Sequence, residues 1–105
     1  MKLKLNIELN DEKYSVNAIK NDNKYIYNYK DSIITINKEE MTIKIHYENV
    51  INIMYLNKGY GIINIENKKI KYDFSIIKLV ILNNRIEFIY KIDDIKRFVL
   101  EEVYE

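Results

Sequence analysis

Apolar residues recur at every second position along almost the whole chain, and that alternation constrains the fold more than any other feature. Leu3, Leu5, Ile7 and Leu9 alternate with Lys2, Lys4, Asn6 and Glu8, the pattern of a β-strand with one buried face. Tyr14, Val16 and Ala18 continue the period, followed by Tyr25, Tyr27 and Tyr29, then Ile34 and Ile36. Met41, Ile43, Ile45 and Tyr47 alternate with Thr42, Lys44 and His46. Ile51, Ile53 and Tyr55 alternate with Asn52, Met54 and Leu56, which predicts a strand covered on both faces. Ile63 and Ile65, then Ile70, Tyr72, Phe74 and Ile76, then Ile86, Phe88, Tyr90 and Ile92 complete the pattern.

The connectors are short. Asn10-Asp11, Asn21-Asp22-Asn23, Asp31-Ser32, Glu48-Asn49, Asn57-Lys58-Gly59, Asn67-Lys68, Asn83-Asn84 and Asp93-Asp94 separate the runs. Asn and Asp tolerate left-handed backbone angles and bond their own main chain, so they serve here where Gly and Pro usually do. The sequence has two glycines and no proline. Loops of this length join antiparallel neighbours and are too short for parallel crossovers. The expectation is an antiparallel meander of nine or ten strands forming a single domain over residues 1–105.

Two places depart from simple alternation. Residues 70 to 76 bury even positions, whereas the following set is Ile77, Leu79 and Ile81. A β-bulge or sharp bend between Ile76 and Ile77 would re-aim the strand and keep Lys78 from pointing inward, as at a barrel corner. At the C-terminus, Ile95, Phe98, Val99 and Val103 fit a helical face, while Phe98 and Leu100 alternate as a strand. A strand is expected, because a meander closes with its last segment.

That many antiparallel strands in one small domain either close into a barrel or stack as a two-sheet β-sandwich. Closure removes exposed edges, and the run from Ile76 to Leu82 (IIKLVIL) is an aggregation hazard on an open edge. An all-β barrel is therefore expected, with the sandwich as the alternative.

Residues 57 to 104 carry a resemblance. A Gly59-Tyr60-Gly61 turn leads into a strand, and Ile70-Lys71-Tyr72-Asp73-Phe74 follows it. Next come Arg85-Ile86-Glu87-Phe88-Ile89-Tyr90 and a strand-like Arg97 to Val103. This order resembles a bacterial family with a lipocalin-like (calycin-type) β-barrel, the YwiB-like proteins. The resemblance implies a small lipocalin-like barrel and no catalytic residues.

Composition excludes several function classes. Lys plus Arg number 17 and Asp plus Glu 16, a net charge of +1, without the basic surplus that phosphate neutralisation demands of a nucleic-acid binder. With no cysteine there is no disulfide, thiolate nucleophile or thiolate metal site. MKLKLNIELN lacks the apolar core of a signal peptide, and no apolar run reaches the roughly 20 residues that span a bilayer. A cytoplasmic protein with no membrane partner is the expectation.

Catalytic chemistry has little to draw on. His46 is the single histidine and falls on the polar face of its strand. The hydroxyl residues Ser15, Ser32, Ser75, Thr35 and Thr42 have no local pairing with it. One histidine and no cysteine leave only an oxygen-donor metal site, and no cofactor is expected. The pairs Glu39-Glu40, Asp93-Asp94 and Glu101-Glu102 read as solvated charge, since strand neighbours face opposite ways. Gly59-Tyr60-Gly61 lacks the spacing of a phosphate-cradling loop. No enzyme is expected.

KYIYNYK, residues 24–30, places Tyr25, Tyr27 and Tyr29 opposite Lys24, Ile26, Asn28 and Lys30, so the tyrosines are expected to point inward. Burying a large side chain stabilises by about 1.5–3 kcal/mol, and an unpaired buried hydroxyl costs a comparable 1–3 kcal/mol. Their hydroxyls therefore need partners: each other, the barrel rim, trapped water or a ligand. A barrel of about eight strands holds either packed side chains or one small ligand. The leading expectation is non-enzymatic binding of a small apolar or amphipathic ligand lined by Tyr25, Tyr27, Tyr29, Tyr47, Phe88 and Tyr90. The alternative is a structural or protein-interaction module with a filled core and exposed Ile26, Val80 and Ile89, one form of which is a homodimer. A third reading, nucleic-acid binding through a Tyr/Lys surface, is opposed by the dispersed acidic residues.

Overall fold

The computed structural model describes residues 1–104. Eleven strands form one sheet: β1 (Lys2–Leu9), β2 (Glu12–Asn21), β3 (Lys24–Tyr29), β4 (Ser32–Asn37), β5 (Thr42–Tyr47), β6 (Val50–Tyr55), β7 (Tyr60–Ile65), β8 (Lys68–Asp73), β9 (Ser75–Ile81), β10 (Arg85–Ile92) and β11 (Asp94–Val103). Every ladder is antiparallel. The order is β8-β7-β6-β5-β4-β3-β2-β1-β11-β10-β9, a meander whose ends meet because β1 pairs with β11. The sheet curls into a nearly closed barrel. The C-terminal segment is the expected strand, and its inward residues Phe98, Leu100 and Glu102 face those of β1.

The barrel closes through one bent run. β8 and β9 are separated only by Phe74; the first half pairs with β7 and the second with β10. The β7–β8 ladder extends through Phe74, whose N–H donates to the Gly59 carbonyl at 2.9 Å, while Ser75 already faces Lys91 of β10. The break at Phe74 brings the count to eleven, where alternation alone suggests nine or ten. The bulge expected here is present. Ile89 faces Lys78 and Tyr90 faces Ile76, so Ile77 is the extra residue. The inward set is thus Leu79 and Ile81 without Ile77, which is 52% exposed. Lys78 turns outward to Glu87 at 2.6 Å.

Left-handed φ values mark the turns, at Asn10, Asp22 and Asp93 and also at Lys30, Met41, Glu48 and Glu66. Gly61 plays a different part. It faces Tyr72 across the β7–β8 ladder, and a Cβ there would overlap the Tyr72 ring. That ring is anchored by its hydroxyl, which donates to Asn52 Oδ1 at 2.6 Å. Gly61→Ala is expected to cost about 1–3 kcal/mol by expelling the ring. Urea unfolding should show a smaller cost in a Tyr72→Ala background, and equal costs would refute this account.

The two ends of the barrel differ. Turns β1–β2, β3–β4, β5–β6, β7–β8 and β10–β11 lie at one end, with β2–β3, β4–β5, β6–β7 and β9–β10 at the other. Toward the second end, Leu5, Tyr25, Ile36, Leu56, Ile86 and Leu100 are fully buried and fill the lumen. This is the closed end; the first is open. β6 has partial cover on both faces, with Met54 and Leu56 inside and Ile51, Ile53 and Tyr55 half-buried outside.

On the outer wall, Glu87 is only 6% exposed because cations cover it. Lys78 approaches at 2.6 Å and Arg97 at 2.9 Å, and Arg97 also reaches Glu8 at 2.6 Å. The Lys78 and Arg97 hydrogen bonds hold the Glu87 carboxyl down at about 2, against an ordinary 4.5. A folded-state pKa below the unfolded one contributes stability above the unfolded value, lost as pH falls through the folded value. The stability gap between wild type and Glu87→Gln should therefore shrink between about pH 4.5 and about pH 2, read as urea midpoints. A gap constant across that window would contradict the assignment.

Candidate functional site: a tyrosine-lined cavity

Above the packed half, the lumen is hollow. A cavity of about 240 Å³ opens there, bounded by side chains from both halves of the sheet. Its floor is Tyr27, Ile43, Met54 and Phe88, each a buried, inward residue of its strand. Tyr14, Tyr29, Ile34, Ile45, Tyr90 and Phe98 form the walls, and Leu9 and Ser32 stand at the open end. The other concavities lie along outer strand faces and turns and carry charged residues such as Lys13, Glu101 and Lys2.

Aromatic rings order the walls. Tyr14 and Tyr29 stack at 4.2 Å, Phe88 and Tyr90 at 4.7 Å, and Phe74 meets both of the latter edge-on at 5.8 and 5.4 Å. Such offset and edge contacts are favourable beyond the area they bury. Burial pushes the Tyr27 phenol far above its ordinary value, and the Tyr14 and Tyr29 phenols beside it add to the shift. Burial likewise raises Tyr90 and Tyr14. The Tyr29 hydroxyl donates to Glu12 Oε2 at 3.3 Å. Among the described residues, no buried side-chain polar atom lacks a partner. The cavity is thus apolar and neutral inside, with phenols as its polar groups.

Four of the six residues expected to line a ligand site come together here: Tyr27, Tyr29, Phe88 and Tyr90. The other two do not. Tyr25 is inward but one step nearer the closed end, where it is fully buried and its hydroxyl donates to Glu102. Tyr47 has the inward parity of β5 but stands at the last position before the β5–β6 turn and is 41% exposed. Tyr14, Ile34, Ile45 and Phe98 belong to the site though not singled out for it. Their alternation marked them as inward, but the level of each strand along the barrel is set by register.

Tyr25 belongs to a polar plug. Glu102, 7% exposed, accepts from Lys20 Nζ at 2.9 Å and from the Tyr25 hydroxyl, and Tyr104 donates to its other oxygen at 3.2 Å. Lys38 Nζ donates to the Asn83 carbonyl at 2.8 Å and lies 5.1 Å from the Tyr25 ring. Burial and the neighbouring Lys20 charge lower the Lys38 pKa. Burial pushes Glu102 upward, but the hydrogen bonds from Tyr25 and Lys20 outweigh it and hold the carboxyl below its ordinary range.

The remaining candidates lie elsewhere. His46 is exposed on the outer wall, its Nε2 3.1 Å from the Glu48 carbonyl. Ile26, Val80 and Ile89 are half-buried rather than exposed; the exposed isoleucines include Ile19, Ile33, Ile70, Ile77 and Ile95. Among the described residues no three His, Asp or Glu side chains converge to hold a metal ion. No helix among them is long and apolar enough to cross a membrane. No protein-family model, curated protein or solved structure matches the chain.

Proposed function

We propose that the protein binds one small, predominantly apolar molecule in the open half of its barrel. The observation that carries this reading is the cavity of about 240 Å³ above a floor of close-packed side chains. Protein interiors close-pack, and voids larger than a water molecule are few. An apolar cavity of about 150 Å³ is already enough for a benzene-sized guest. The volume here suits a guest of about one to two rings, below the range typical of drug-sized ligands. The lipocalin-like resemblance agrees as an analogy of architecture, which by itself assigns no ligand.

Native mass spectrometry of protein purified from its own source, compared with the denatured mass, tests the reading. A non-covalent increment lost on denaturation supports it. If the purified chain is bare and small aromatics shift no backbone amide around the cavity, the reading falls. Ile45→Phe is expected to fill the space, abolish any such shift and leave urea stability within about 1–3 kcal/mol of wild type, the usual cost of overpacking. A second reading, a homodimer docked through outer-face apolar residues, rests on the neighbouring Ile19, Ile26 and Ile33 of β2, β3 and β4, of which Ile19 and Ile33 are 51% and 47% exposed. Ile33→Lys should convert a dimeric native mass to a monomeric one; a monomer in the wild type removes this reading.

A further inference from the structure

We infer that the cavity selects a cationic guest: a small aromatic or aliphatic body carrying one ammonium group held at the mouth. This rests on the cavity reading above and adds the charge of its ligand. Glu12 faces Leu9 across the β1–β2 ladder and accepts from the hydroxyl of the wall residue Tyr29 at 3.3 Å, so its carboxylate stands on the rim. Among the described residues no lysine or arginine forms a salt bridge with it.

The turns around the mouth add further carboxylates. All five turns at the open end carry an acid: Asp11, Asp31, Glu48, Glu66 and Asp93. At the closed end, Asp22 lies in the β2–β3 turn and Glu39 and Glu40 in the β4–β5 turn, while turns β6–β7 and β9–β10 carry no acid. Carboxylates at the mouth of a cavity with low-dielectric walls favour an approaching cation. Cations also stand at this end. Lys68 begins β8, Lys13 follows Glu12, Lys91 faces Ile95, Lys96 and Arg97 share an outer depression with Asp11 and Asp94, and the Lys30 ammonium lies 5.2 Å from the Tyr29 ring centroid. That last contact shows that a rim ring already receives an ammonium. Tyr14, Tyr27 and Tyr90 line the same cavity, and tyrosine rings are of the kind that attract organic cations.

The test is a backbone-amide NMR titration of the full chain with three guests of similar size: phenethylammonium, hydrocinnamate and ethylbenzene. Phenethylammonium should bind at least about fivefold more tightly than hydrocinnamate, a margin of the size that cation–aromatic contacts supply. The ratio should contract at about 1 M salt, where the screening length falls to about 3 Å. Glu12→Gln should bring the ratio of the two charged guests toward one; an unchanged ratio would count against Glu12 as the partner of the ammonium. If ethylbenzene binds but the ammonium gains nothing over the carboxylate, the charge inference fails and the cavity reading stands. If none of the three binds, the cavity reading fails and takes this inference with it.

Discussion

Phe88→Ala is expected to destabilise the protein by about 3–5 kcal/mol, the range for truncating a fully buried phenylalanine. Phe88 is completely buried, stacks on Tyr90 at 4.7 Å and meets Phe74 edge-on at 5.8 Å. Its position at the junction of the two halves of the lumen makes truncation costly. The ring is the floor of the cavity and the roof of the packed half, so its loss would merge a new void with an existing one. Its neighbours are held by ladder hydrogen bonds to Leu79 and Phe98 strands and have little room to collapse inward. A small domain has about 5–15 kcal/mol in total, so the variant should lose about a fifth or more of its stability. Urea unfolding should show a lower midpoint at an unchanged slope. A loss under about 1 kcal/mol would mean that the floor is not packed as described.

The second large effect belongs to the polar plug. Glu102→Ala is expected to cost about 3 kcal/mol, the low end for removing one partner of a buried ion pair, because Lys20 keeps some access to water. The side chains are 3% exposed for Glu102 and 18% for Lys20. Without the carboxylate, the Lys20 ammonium and the Tyr25 hydroxyl lose their shared acceptor, and Lys20 and Lys38 are left as like charges around the Tyr25 ring. Glu102→Gln retains an acceptor and should cost less. The double variant Lys20→Met/Glu102→Leu removes both charges and should regain most of the loss, since apolar replacement of a buried pair is often neutral. The sign of the pH dependence follows from the depressed Glu102 pKa. Its contribution is complete above the unfolded carboxyl value and declines as pH falls below it. Urea midpoints of the four proteins at neutral and acid pH decide the matter. Equal loss in Glu102→Ala and the double variant would show that packing, not charge, holds the plug.

Strand identity was readable because it depends on local chemistry. Alternation in Lys2–Leu9 or Thr42–Tyr47 reports which residues face a core, and short Asn- and Asp-containing connectors leave antiparallel pairing as the outcome. Even the irregularity near Ile76 was visible, since a parity change within an apolar run needs a bulge to keep Lys78 in water. The choice of bulged residue was not visible. It depends on how β9 meets β10 after the run bends at Phe74, an arrangement between segments distant in the chain.

The candidate site shows the same division. Parity alone told that Tyr25, Tyr27 and Tyr29 point inward, but three successive inward positions on one strand occupy three different environments. Tyr25 lies in the plug, Tyr27 in the cavity floor and Tyr29 on its wall. Inward direction follows from the two-residue period of a strand, a property of the local backbone. Height along the lumen follows from register, summed over ladders that join residues as distant as Lys4 and Val103. The amino-acid sequence by itself therefore determined the strands, their turns and the inward face. Only the tertiary structure decided which inward residues meet, where the lumen is packed and where it is left open, because cavities arise from the fit of side chains brought together across the barrel.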